Sequence, residues 1–468
     1  MVFFLSTCIL LIAPLIRGGN RQVSLIVLLA LAILLLAAIG AEATYLSLQT
    51  KDERSGRDAI LVWHRVALAM LLSCPIWLGF IYLLPVPADS WRSLPGRELY
   101  FTAMNSMKLA LPSTFPLSLS ADGTLASLLA GVPLVAMFTA AQFLPIKAIK
   151  SLLLVLILCA TLQVLLAVLQ LALGADSIFY FDLQVGGAVI GSFANRNHLA
   201  NFLVLQIPIY FYFFFNLSHS ENDGKLSKFV RSHRQIILLL LLFLAFSFLL
   251  ILLTTMSRGG LISGFIALGM SIGIYLIALG KSVSHKLRYV YFGLSIVFIS
   301  LALLTTGLDG IQAKLGARLV TDADVRNSIA RSAFDAAMLF WPWGSGPGSF
   351  EAVFPRFQPP INFGAMGYIE YAHNDYAQLL MELGAAGAIL MAIFALLIVY
   401  QIFNFIKVYR VEQRFPKNVV LQCFCGVSLL AFLLHSWVEF NMHIPALAIT
   451  AAFLAGVFLR NSSLDEAR

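Results

Sequence analysis

Three short polar islands interrupt an otherwise apolar chain: "SFANRNHLANF" (192–202), "TTMSRGGLISG" (254–264) and "YAHNDYAQLLMELG" (371–384). Two hold an arginine, Arg196 and Arg258, whose planar guanidinium suits phosphate oxygens. The third holds His373, whose imidazole can accept a proton near neutral pH and so suits activation of a hydroxyl. Each island runs directly into a long apolar stretch, which makes each one a helix start. Unpaired N–H groups and the positive end of the dipole gather there, so three such starts on one side of the molecule favour an anion.

Each feature also has a plainer reading. An arginine at a helix end can simply reach for the headgroup region. Asn195, Asn197 and Ser257 are ordinary N-caps, and a lone histidine at an interface is often structural. The coincidence of all three islands on one side is what points to a site, with His198 beside Arg196 in support. With Asn374 as N-cap, His373 sits just outside its helix, free to face a pocket. Asp375, Gln378 and Glu382 fall at i, i+3 and i+7 and share a helical face. Glu382 lies roughly half a turn out of phase with His373, so it is not expected to be its direct partner. Its expected role is to orient a neighbour, such as an arginine from another helix. Buried ionisable residues of this kind are costly and are functional candidates by default.

A further island, "HSWVEFNMHIPA" (435–446), spaces His435, Glu439 and His443 at i, i+4 and i+8. That is not the HExxH signature, and a loop is expected to break the helix between them, so it reads as a pocket floor rather than a metal site. "GSGPGSF" (344–350) lacks the GK[ST] of a P-loop and reads as a tight turn whose backbone approaches the ligand. "TDADV" spaces Asp322 and Asp324 suitably for a metal–sugar motif, but the pattern alone is weak. No metal and no cofactor are expected.

The elements that hold these islands follow from composition. The chain has 468 residues, 60% hydrophobic and 12% charged, with a mean hydropathy of +0.88. A soluble protein of this size is not so apolar. Stretches of spanning length number about twelve, near 2–16, 23–41, 60–84, 124–146, 151–173, 198–216, 235–255, 259–280, 289–307, 376–403, 418–436 and 443–460. The first lacks a basic leader region and a small-residue cleavage pattern, so it is expected to be a retained helix. An all-α, multi-pass integral membrane protein follows, with membrane lipids as its surroundings.

Orientation follows from the basic residues. If the N-terminus is cytoplasmic, the even-numbered loops lie inside. Those loops, "QTKDERSGR", "IKAIK", "GKLSKFVRSHR", "GKSVSHKLR" and "IKVYRVEQRFPK", are short and rich in Lys and Arg, as the positive-inside rule expects. Both termini are then cytoplasmic. The formal charge of +8 is explained by topology, and no nucleic-acid partner is needed. The five cysteines, Cys8, Cys74, Cys159, Cys423 and Cys425, all fall in expected spans, which argues against a disulfide in an outer loop. The outer loops include 85–123, 174–197 and 307–375. Within the last, "TDADVRNSIARSAFDAAMLFWPW" has the spacing of an amphipathic helix. No repeat or linker divides residues 1–468, which read as one polytopic domain.

"NRNHLANFL", "SRGGLISG", "GSGPGSFEAVFPRF" and "AHNDYAQLLMELG", in this order on a polytopic chain, resemble the bacterial O-antigen ligase and O-antigen polymerase family. The resemblance covers residues 185–400. It implies a GT-C-like fold in the inner membrane, with a large periplasmic loop at 307–375 and a periplasmic active site. Such proteins transfer a glycan from undecaprenyl diphosphate to an acceptor hydroxyl without nucleotide sugar or metal. Carried over, Arg196 and Arg258 would bind the donor's diphosphate. His373 would match the essential histidine of the periplasmic loop and deprotonate the acceptor, and Arg331 and Arg356 could assist.

A ligase delivers the glycan to lipid A–core, whereas a polymerase of O-antigen or exopolysaccharide joins carrier-linked repeat units. No residue decides between them, and the ligase is the first reading. Members that modify proteins usually extend into a large domain after the last span, where this sequence continues only with "RNSSLDEAR". A transporter of polysaccharide or a lipid-linked substrate is the rival from another class. It would place polar sites near the midplane, often in repeated halves, whereas here they sit at one membrane face.

Overall fold

Apolar side chains are at ease in hydrocarbon, but an unpaired backbone N–H or C=O is not. Stretches like these therefore close their hydrogen bonds within themselves, as helices. The computed structural model describes residues 1–49, 56–108, 111–181, 183, 188–218, 230, 232–279, 293, 322–359 and 369–461. Among these, nine helices are long and apolar enough to cross a membrane: Gln22–Thr44, Arg65–Tyr82, Ala121–Phe143, Ile146–Leu173, Arg196–Ser218, Arg234–Thr254, Arg258–Ala278, Asp375–Glu412 and Lys417–His435. Each coincides with an expected span. Two more, Val2–Leu15 and Pro445–Phe458, are apolar but have only 14 residues each, short of the about 20 a crossing needs. The expected span at 289–307 lies, but for Gly293, outside the described residues.

The short helix Pro445–Phe458 is central. It is buried almost throughout and packs on Ala121–Phe143, Lys417–His435 and Arg196–Ser218. Gly456 allows a close approach to Ala121–Phe143, since a Cβ there would come within 2.7 Å of the Phe138 carbonyl oxygen. Ala140, Leu152, Leu203, Phe424 and Phe453 belong to the core around it. Arg234–Thr254 is peripheral, with Leu239, Phe243 and Phe246 exposed, as a lipid-facing helix should be.

Above this bundle sits a second, smaller core. The expected amphipathic helix forms as Asp322–Phe340. Its apolar face, Val325, Ile329, Ala333, Ala336 and Phe340, packs with Phe350, Phe354 and Met381. The helix Asp375–Glu412 has 38 residues and is broken at Gly384 (φ 55°, ψ −129°), so its first turns join this upper core rather than the bundle. Strands Pro85–Pro87 and Thr114–Pro116 pair antiparallel nearby.

The glycine turn ties these parts together. Ser345 accepts the Leu119 N–H at its carbonyl (2.8 Å) and Thr124 donates to the Pro347 carbonyl (2.8 Å). Gly346 (φ +112°) leaves no room for a side chain, because a Cβ would stand 2.0 Å from Ser118 Oγ. Arg97, fully buried, donates to the carbonyls of Leu117 (2.6 Å) and Gly344 (3.1 Å). Burial lowers its guanidinium to about 10.

Candidate active site

The first turn of Asp375–Glu412 is capped as expected. Asn374 Oδ1 accepts the N–H groups of Tyr376 and Ala377, both at 3.0 Å. His373, one residue before the cap, has a left-handed backbone (φ 51°), which costs a non-glycine residue about 1–3 kcal/mol unless its surroundings hold it. They do. Its ring stands edge-on to Phe440, 4.9 Å between centroids, and its Nδ1 lies 3.4 Å from Glu439 Oε2.

Glu439 is buried, with 1% of its side chain exposed. Its Oε1 accepts from Asn197 Nδ2 and from Arg326 Nη1. Three distant elements therefore meet on one carboxylate: the helix Arg196–Ser218, the amphipathic helix and the approach to Asn374. Burial would push the Glu439 carboxyl up. The bond to His373 and the charge of Arg326 outweigh it and hold the group well below the usual carboxylate range, so it stays ionised.

Asn197 is thus not a cap, as the sequence suggested. The cap is Asn195, whose Oδ1 accepts the Asn197 N–H at 2.9 Å, and this frees the Asn197 side chain for Glu439. Arg326 was not singled out from sequence. Its signal is its place in the first turns of an amphipathic helix, one residue from the inward-facing Val325.

A second chain of bonds runs behind His373. Asp375 accepts from His443 Nδ1 (3.0 Å) and from the Met442 N–H (2.9 Å). Gln378 Nε2 faces His443 Nε2 at 3.0 Å and donates to Glu382 Oε1 at 3.1 Å. Burial lowers the His443 imidazole, but the bond and charge of Asp375, with the charge of Glu382, outweigh it and raise the group. The shared face of Asp375, Gln378 and Glu382 is therefore real, and it is turned toward His443.

Among the described residues the partners of Glu382 are not arginines. Its carboxylate accepts the backbone N–H groups of Gly348 (2.8 Å) and Phe350 (3.2 Å). The glycine turn offers those donors to Glu382, where the sequence suggested a ligand for its backbone. A carboxylate inside a packed core needs donors, and the nearest were peptide groups.

Arg196 and Arg258 each occupy the first position of their helix. Ser257 Oγ caps the second by accepting the Gly260 N–H at 3.2 Å. The two helices touch near their starts, since a Cβ on Gly260 would come within 2.6 Å of Ala200 Cβ. Gly259 packs against the His435 ring, and the Asp375 N–H donates to the Ser436 carbonyl at 3.0 Å. All three helix starts accordingly meet the 435–443 segment. That segment leaves the helix at His435, holds Glu439 in the loop and forms a 3-10 turn at Asn441–His443.

Glu439 and His443 serve different partners, and among the described residues no group of three or more His, Cys, Asp or Glu is disposed to hold a metal. Both ring nitrogens of His435, Nε2 of His198 and the amide of Asn441 are buried without a hydrogen-bond partner among the described residues. Arg331 is exposed on the outer face of the amphipathic helix, lining a groove with Asn374. Arg356 lies elsewhere: it donates to the Gly96 carbonyl (3.2 Å) and stacks on Tyr100 and Phe357.

Residues 240–392 match the family model described as O-antigen ligase. The matched segment contains Arg258, Arg326, His373 and Glu382, and the resemblance read from the motifs is borne out there. No curated protein matches the chain.

Proposed function

From the match of residues 240–392 to the O-antigen ligase family model, we propose that this protein transfers a glycan from undecaprenyl diphosphate to an acceptor sugar hydroxyl at the periplasmic face of the inner membrane. The acceptor in this reading is lipid A–core. The observation that supports it is the seating of His373. Its Nδ1 is turned to an ionised, buried Glu439, at a point where three capped helix starts converge.

The Nδ1–Glu439 contact favours the tautomer in which Nδ1 donates, leaving Nε2 as the base. Nε2 takes the proton of the acceptor hydroxyl as that oxygen attacks the anomeric carbon. The bond from that carbon to the diphosphate oxygen breaks on the opposite face, so the configuration inverts. Undecaprenyl diphosphate leaves with the electron pair, and the proton stays on His373. Glu439 stabilises the imidazolium so formed. Arg196 and Arg258, with the N–H groups of their first turns, stabilise charge developing on the diphosphate, which is preorganised electrostatic catalysis.

The test is deletion of the gene in its host, with surface glycans compared on gels after complementation by wild type and by His373→Ala. A ligase leaves full-length chains on the carrier and a bare core. Single repeat units on the core would instead mean a polymerase. Wild-type glycans from His373→Ala, expressed at normal level, would remove His373 as the base.

A further inference from the structure

The outward face of the helix Asp322–Phe340 borders a groove of about 700 Å³. Asn327, Arg331, Phe334 and Asp335 line it from this helix, at i, i+4, i+7 and i+8. Asn374 and Tyr376 line it from the other side, together with Trp437. Trp437 is 64% exposed and Phe334 47%, so two aromatic faces stand open. Trp437 is braced from behind: the Tyr376 ring lies 5.5 Å from it, and the Tyr376 hydroxyl donates to the Leu433 carbonyl at 2.7 Å.

The side chains of Asn327, Arg331 and Asp335 make no hydrogen bond or ion pair among the described residues. An amide, a guanidinium and a carboxylate in a row beside open aromatic faces suit one class of ligand. A sugar ring lays its C–H face on an indole or phenyl ring, and its hydroxyls both donate to carboxylate and accept from amide or guanidinium. A hydrocarbon chain laid there would strip water from the same three groups and return no hydrogen bond.

We propose that this groove seats the sugar of the acceptor. The inference rests on the glycan-transfer reading and names where its second substrate binds. Asn374 lines the groove and directly follows His373 in the chain, so the groove ends one residue from the base. The helices headed by Arg196 and Arg258 contribute no residue to the groove. They reach the site by way of Glu439 and His435 instead, which leaves the donor and the acceptor separate approaches.

The experiment uses the full chain in lipid nanodiscs, with carrier-linked glycan from the host as donor. The acceptor probe is the unmodified glycolipid that accumulates in the deletion strain. Trp437→Ala, Arg331→Gln and Asp335→Asn are compared with wild type at varied acceptor and at varied donor. All three positions are exposed or line an open surface, so folding is not at stake in all of them together.

The expected result is an acceptor KM raised about tenfold or more, with the donor KM within about twofold and the rate at saturating acceptor largely kept. A raised donor KM with an unchanged acceptor KM would make the groove a seat for the lipid carrier and overturn the proposal, as would unchanged values for both. Failure of the wild type itself to form a glycosidic bond would instead overturn the transfer reading, and the subsite with it.

Discussion

His373 Nδ1 and Glu439 Oε2 lie 3.4 Å apart across 66 residues of sequence. The same carboxylate holds Asn197 and Arg326 on its other oxygen. In the proposed reaction such a contact orients the base and favours one tautomer, and it gives the protonated form a counter-charge. In that proposal Glu439 acts through His373, as a positioning residue.

Glu439→Gln keeps the shape and removes the charge. Loss of an orienting carboxylate beside a histidine base can cost as much as about 10⁴ in kcat. At least a tenfold fall in kcat with little change in donor KM is expected for this variant (about 1.4 kcal/mol or more). A purely structural role would lower the amount of folded protein and leave kcat per folded molecule intact.

The two carboxylate–histidine contacts respond to pH in opposite senses. The folded Glu439 carboxyl is depressed, so its contribution to stability is present above the usual carboxylate pKa of about 4 and declines as pH falls below it. The folded His443 imidazole is raised, so its contribution is complete below about 6.5 and is lost as pH rises through the folded value. Thermal melts in detergent should therefore show the Glu439→Gln deficit shrinking toward pH 3. The deficit of His443→Gln should instead shrink from pH 6 toward pH 9. A deficit that stays flat with pH would remove the charge from the account.

Arg196→Lys and Arg258→Lys keep the charge and lose the planar fork. If the two guanidiniums hold a diphosphate, each is expected to raise the donor KM by about tenfold, and the alanine variants by more, with acceptor KM unchanged. Lysine variants that match wild type would mean that any positive charge suffices, and alanine variants that match it would take the arginines out of the site.

Gly346→Ala places a Cβ 2.0 Å from Ser118 Oγ at a φ of +112°. Strain of this kind costs about 1–3 kcal/mol before the clash is added. The melting temperature should fall, and the recovered monodisperse protein with it. Gly40→Ala is the control: a Cβ there meets nothing within 4 Å. Equal melting of the two variants would show that the turn does not lock residues 117–124 to residues 344–348.

Much of the frame is local in origin and was legible in the sequence. Runs of apolar residues placed the membrane helices, because backbone pairing in hydrocarbon depends on nothing outside the run. Asn195, Ser257 and Asn374 were legible as caps, since a cap bonds N–H groups two or three residues ahead. The shared face of Asp375, Gln378 and Glu382 followed from helical phase alone. Length was less legible: Pro445–Phe458 is shorter than its apolar run at 443–460 suggested, because the chain turns at Asn441–His443 before the helix begins.

What faces what was decided only by tertiary structure. Phase put Glu382 out of step with His373, but it could not name Glu439 as the partner or Arg326 as the third member. Those contacts join residues 66, 113 and 242 positions apart, and no local rule spans such distances. Nor could the sequence show that "GSGPGSF" would spend its amides on Glu382, or that Asn197 would turn from capping to Glu439. A buried carboxylate takes its donors from whatever the packing brings within reach, and the packing is a property of the whole chain.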